Sequence, residues 1–195
     1  MNKAGWWGTL GVAGVLLALS VGLPVINSAI AGDESLPTGT VLRLGPPNGK
    51  GVRPIRLTTT AGWTLRKGNS DLSTNLTLRK GSTTLIVSSV ELTPNTESGD
   101  YPDAEALWKG LGRLVPLQWD GHLSSRTTGI TSDQGVSGLT GGMTTARHVG
   151  IAAVFPDGSQ GAEAVAAGPP GDFAAEADAV KTMIKSIAFS KGAGR

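Results

Sequence analysis

The 195-residue sequence has no cysteine, two histidines, one tyrosine and three phenylalanines. Without cysteine there can be no disulfide, no thiol catalysis, no zinc site built on thiolates and no lipid anchor on an N-terminal cysteine. Charge of one sign is also scarce. Lys and Arg number 17 against 15 Asp and Glu, a formal net charge of +2, and no segment concentrates either sign. A nucleic-acid partner would find no electrostatic footprint and is not expected. Aromatic residues make up 5% of the chain against 29 glycines, so the core must be built mainly from Ala, Val and Leu. The length suits one domain of ordinary size with a short appendage.

What the sequence does have is an apolar N-terminus. Residues 6–31 carry no ionisable side chain, and a stretch of about 20 such residues spans the hydrocarbon core of a bilayer. Residues 1–31 therefore read as a transmembrane anchor or a signal segment. Lys3 precedes the run while Asp33 and Glu34 follow it, which favours a cytoplasmic N-terminus and an extracytoplasmic remainder. Two fates compete. Ala29, Ile30 and Ala31 make an A-x-A-like pattern behind the helix breaker Pro24, and cleavage there would release a secreted chain starting at Gly32. Against cleavage, the run exceeds the roughly 7 to 15 residues of a signal's apolar region and opens on an interfacial pair, Trp6 and Trp7. The uncleaved, single-pass anchor is the preferred reading. Gly14, Ala18 and Gly22 recur every four residues as a stripe that another membrane helix can approach closely, although small residues are frequent throughout this chain.

Residues 32–51 contain Pro37, Pro46 and Pro47 and read as a Pro/Gly-rich tether with one short extended piece at 41–44. The exported domain is expected over 52–190, with 191–195 as a disordered tail. Ile55 and Leu57 alternate with polar neighbours, and the runs at 76–78 and 84–92 read as a hairpin with neither face strongly polar, so that helices should cover both. A first helix is signalled by Pro102, Asp103 and Glu105 at its start, with Leu107, Trp108, Leu111 and Leu114 on its buried face and Pro116 at its end. Antiparallel strands follow, the last two joined at a turn over 156–158. Glycines 138–142 and 168–171 read as turns. Asp172 is placed to cap a second helix carrying Phe173, Ala177, Val180 and Ile184 on one side, and a short strand at 187–189 closes the chain. The fold class is α+β: an antiparallel sheet flanked by helices, preceded by one transmembrane or signal helix.

The Gly62-Trp63 bend followed by the hairpin at 76–92, together with the closing run Met183, Ile184, Lys185, Ser186, Ile187, Ala188 and Phe189, resembles the PsbP-like family, which includes the actinobacterial LpqN-type exported proteins. The resemblance covers roughly residues 52–190. It implies the α+β architecture just described and a non-enzymatic role as an accessory or binding module of a membrane assembly. LpqN-type proteins are anchored through a lipidated cysteine, so here the N-terminal helix would take over that task. A composition heavy in Gly, Ala, Val, Thr and Arg fits an actinobacterial exported protein. No plastid-targeting segment is present, and the photosynthetic role of plant PsbP is not carried over.

Residues with catalytic potential do not assemble into a site. His122 and His148 lie in different strand segments without Asp or Glu at ligand spacing, so no metal is expected; His148 reads as a sheet-face residue and His122 as a turn residue. Ser137 lacks the second glycine of a nucleophile elbow, because Leu139 stands there. Asp100, Asp103 and Glu105 are explained by the helix dipole. No cofactor is called for. Trp63 and Trp108 read as core, whereas Trp119 falls in a turn where it is either a contact for a partner or satellite core. The preferred reading is a non-catalytic extracytoplasmic module of the cell envelope with the membrane and an envelope protein as partners. Its rivals are a secreted carrier of a small apolar ligand and an exported enzyme in which His148 meets Asp133 or Glu163. If the anchor reading is right, the mature chain recovered from host membranes has the mass of the full sequence; a soluble species beginning at Gly32 would overturn it.

Overall fold

A computed structural model describes residues 32–96 and 98–190. The apolar segment with its Gly14, Ala18 and Gly22 stripe, and the tail, lie outside the described residues. The elements are β1 (Glu34–Ser35), β2 (Val41–Leu44), β3 (Ile55–Thr58), β4 (Thr64–Leu65), a 3-10 turn (Lys67–Asn69), β5 (Asn75–Lys80), β6 (Thr83–Glu91), α1 (Ala104–Trp119), β7 (Gly121–Thr131), β8 (Ser137–Thr145), β9 (Val149–Asp157), β10 (Gln160–Gly168), α2 (Pro170–Lys185) and β11 (Ala188–Phe189). Eight strands form one antiparallel sheet in the order β1-β4-β5-β6-β10-β9-β8-β7, and β11-β3-β2 form a second.

The large sheet is buried on both faces, as its side-chain alternation predicts. On one face Leu76, Leu78, Leu85, Val87, Ala153, Phe155, Ala164 and Ala166 share a core with Val180, Met183 and Ile184 of α2 and with Leu44, Ile55 and Leu57 of the small sheet. On the other, Met143, Ala152, Val154, Val165 and Ala167 pack with Leu107, Leu111 and Val115 of α1. The register Leu76 to Val87 and Leu78 to Leu85 confirms the hairpin, and Trp63 is fully buried, as expected.

The stretch read as a tether is built into the fold. β1 pairs with β4 and β2 with β3, Leu36 and Leu44 enter the first core, and the Arg53 guanidinium donates to the carbonyls of Gly45 and Leu72 at 2.7 and 2.8 Å. Pro46 and Pro47 form the bend between two paired strands, so their presence marked a loop inside the domain.

The helix α1 begins where expected, with Asp103 as N-cap accepting from the Ala106 amide at 2.8 Å, but it runs through Pro116. Leu107, Leu111, Val115 and Trp119 recur every four residues along one side, and three extra residues carry Trp119 back to the sheet; that burial offsets the one helical hydrogen bond that proline lacks. In consequence Val115 is buried and Leu114, expected in the core, is 41% exposed. Asp172 does not cap α2, which starts at Pro170 behind Pro169; it sits in the first turn instead. β9 continues through Pro156 to Asp157, leaving a two-residue turn at Gly158. Glycines 138, 141 and 142 lie within β8, where no turn occurs: a Cβ at Gly141 would stand 3.0 Å from the Trp108 ring, which is half-buried across the strand. Replacing Leu44 by Ala is expected to cost about 2–5 kcal/mol in denaturant unfolding, whereas a residue in a solvated tether would cost nothing measurable.

Candidate functional site

Where α1 ends, it leaves part of the sheet uncovered. A cavity of about 390 Å³ lies there, walled by Leu111, Leu114, Gln118 and Trp119 from the last two turns of α1, by Ile86, Ser88 and Val90 of β6, and by Glu163 and Val165 of β10, with Thr74 and Asn75 at the far rim. Period-two alternation aims these strand residues the same way: Glu163 pairs with Ser88 and Val165 with Ile86, while Asn75 pairs with Ser88 from the other side. Asn75, Ser88 and Glu163 thus form one polar row across three strands.

Glu163 is the single charge in its strand, and every residue after it in that strand is small or apolar. It is half-buried, and among the described residues neither a hydrogen bond nor an ion pair reaches its carboxyl. Asn75, by contrast, spends its amide on the Asn69 carbonyl at 3.1 Å and its carbonyl on Thr74 at 3.2 Å. Burial pushes the Glu163 carboxyl up from 4.5 to about 7, because a charge withdrawn from water without a partner favours the neutral form. No other residue lining the cavity is titratable. The arrangement sets one half-buried carboxyl beside the Ser88 position, aliphatic side chains and an indole.

Trp119 is the last residue of α1 and not part of a turn. It is half-buried, packs against the second core and walls the cavity. Neither pair of the enzyme reading, His148 with Asp133 or His148 with Glu163, comes together. His148 is exposed in the β8–β9 connection and Asp133 in the β7–β8 connection, at opposite ends of β8, while Glu163 pairs with Val154 in mid-β9. The two histidines exchange their expected settings: His122 lies exposed on β7, opposite Thr144, and His148 lies off the strands. Among the described residues no three His, Asp or Glu side chains gather as metal ligands, and no helix is long and apolar enough to cross a membrane. Ser137 is an exposed strand residue paired with Thr131. Glu163 was legible only as an isolated acid among alanines; that its face would be left open depended on where α1 stops.

A two-faced antiparallel sheet with one helix on each side and a small sheet beside α2 is a PsbP-like fold. Over 80% of this chain and 95% of the other, the structure is similar to the solution structure of cyanobacterial PsbP (CyanoP) from Synechocystis sp. PCC 6803, with a TM-score of 0.52 and 14% sequence identity. A solved protein from Bacteroides thetaiotaomicron is similar at a TM-score of 0.36 and 12% identity, over 71% of this chain and 46% of that one, too distant to inform the fold. No protein-family model matches the chain, and no curated protein matches it. At 14% identity the likeness establishes the fold and leaves function to the site.

The buried acid has a signature in stability. Its folded-state value lies above the unfolded one, so the stability it lends is complete below pH 4.5 and is lost as pH rises through about 7. Relative to Glu163→Gln, the native protein should lose up to roughly 3 kcal/mol of unfolding free energy across that window and hold level above it. Parallel unfolding curves for the two proteins from pH 4 to 8 would show that the carboxyl is solvated.

Proposed function

We propose that this chain is a non-catalytic accessory module of the cell envelope, held in the membrane by residues 6–31 as a single-pass anchor with its domain extracytoplasmic, and that it acts by binding an envelope protein through the groove beside α1. The groove carries the reading: it is open, its lining mixes aliphatic side chains and an indole with hydroxyl and amide groups, and it contains one titratable group, the composition of a contact surface. Its rim adds to this. Leu114 and Leu117 are 41% and 83% exposed near the end of α1, and Trp119 offers a large, partly fixed aromatic surface of the kind that dominates contact energies. The PsbP-like fold is compatible with an accessory role, and the uncharged N-terminal run supports the anchor. Within that fold, the LpqN-type exported proteins are the group whose role as tethered envelope modules this chain would share, with a protein anchor in place of a lipid.

A photo-reactive side chain at Leu114 of the full chain, activated in intact cells, should give a discrete higher-mass adduct, and the same group at Val41, exposed on the small sheet away from the groove, should give little. Equal labelling from both positions, or none from Leu114, would overturn groove-mediated docking.

A further inference from the structure

The groove reading leaves the chemistry of its occupant open, and the groove's own charge pattern narrows it. Ile86, Val165, Leu111 and Leu114 share the lining with the polar row of Asn75, Ser88 and one carboxyl, Glu163, that has no partner among the described residues. An acid in such a place costs stability when it ionises, so an isolated carboxyl serves the folded domain poorly by itself. What would complete it is a cation on an aliphatic stem: the stem buries against the leucines while the cationic head pairs with the carboxylate and meets the indole face of Trp119. We propose that the groove is a receptor for a lysine side chain presented by the partner protein, with Glu163 as its counter-ion. This rests on the docking reading above.

Two observations favour a side chain on a protein over a free amine. Leu114 and Leu117, 41% and 83% exposed, extend apolar surface beyond the cavity mouth, where only a larger partner would cover it. Gln118 and Trp119 of the last turn of α1 also line the cavity, so a partner surface laid across the end of the helix lies next to it. Lysine brings a compact charge on a long flexible aliphatic stem to this single carboxyl.

Ionisation of Glu163 must accompany binding. Around it, β5 contributes Asn75, β6 contributes Ile86, Ser88 and Val90, and α1 contributes Leu111, Leu114, Gln118 and Trp119, none of which titrates. Affinity for a cation should therefore rise with pH up to about 7, the value for Glu163, and level off above it. The lysine amine stays protonated across this range.

The test uses the full chain in a non-ionic detergent and two probes, N-acetyl-lysine methylamide and its neutral Nε-acetylated form, followed by the backbone amide shifts of Glu163 and Ser88. At pH 8 the charged probe should bind about tenfold more tightly, the size of one hydrogen bond to a charged group, and the preference should shrink as pH falls toward 5. Glu163→Gln should erase the preference and weaken the Leu114 cross-link in cells. Equal binding of the two probes, a preference for the neutral one, or a preference that survives Glu163→Gln would overturn the assignment. If the probes show no preference while the Leu114 adduct forms at full yield in Glu163→Gln, the lysine receptor fails and the docking groove stands. If the adduct is missing from the native protein as well, the docking reading itself fails. Both probe measurements on the native protein need no variant, so a folding defect in Glu163→Gln cannot mask the result.

Discussion

The structure depends on covering one antiparallel sheet from both sides, and β10 shows how that is achieved. It lies between β6 and β9, sending Ala162, Ala164 and Ala166 into the core under α2 and Val165 and Ala167 into the core under α1. Small side chains at the sheet's centre let layers close on both faces without bulky aromatics, which this sequence has few of. The same economy explains the glycines within β8. Trp108 from α1 can lie against the strand because Gly141 presents no Cβ to it. A chain short of aromatic residues thus spends the large ones it has where the backbone has been cleared for them.

Two-sided burial also creates the site. One sixteen-residue helix has to cover the α1 face of a sheet eight strands wide, and it covers the β7–β8–β9 side more fully than the β5–β6 side. The uncovered part between β6 and the end of α1 becomes the groove, and Glu163 is caught at its edge, too deep for full hydration and without a protein partner. Its raised protonation value is a consequence of that position. The groove is thus a by-product of architecture that the sequence has furnished with one acid, one indole and a row of aliphatic side chains.

Local chemistry shows where reading the sequence succeeds and where it cannot. The hairpin of β5 and β6 was legible because two short apolar runs, at 76–78 and 84–92, flank Lys80 and Gly81, and the start of α1 because Pro102, Asp103 and Glu105 precede leucines at helical spacing. Pro116 misled for a definable reason. A proline inside a helix loses one backbone bond, and the gain from docking Val115 and Trp119 that offsets it exists only once the sheet is there to receive them. The proline-rich stretch before residue 52 misled in the same way, since Leu36 and Leu44 reveal themselves as core only through partners well beyond their own segment, Trp63 for Leu36 and Ile55 for Leu44. His148, Asp133 and Glu163 each looked usable alone; register placed them on separate parts of the sheet.

By itself the sequence determined the absence of disulfide and thiol chemistry, the near balance of charge, the apolar N-terminal run, and the periodicities that make an α+β domain with a sheet buried on both sides. These follow from composition and from contacts within a few residues, which local physics fixes. Tertiary structure alone decided that α1 extends past its proline, that residues 34–44 belong to the domain, and that Glu163 stands unpartnered beside Trp119 and Leu114 in an open groove. Each of those depends on which surface remains uncovered after distant segments have packed, and exposure is a property of the whole assembly of layers that no single stretch of sequence contains.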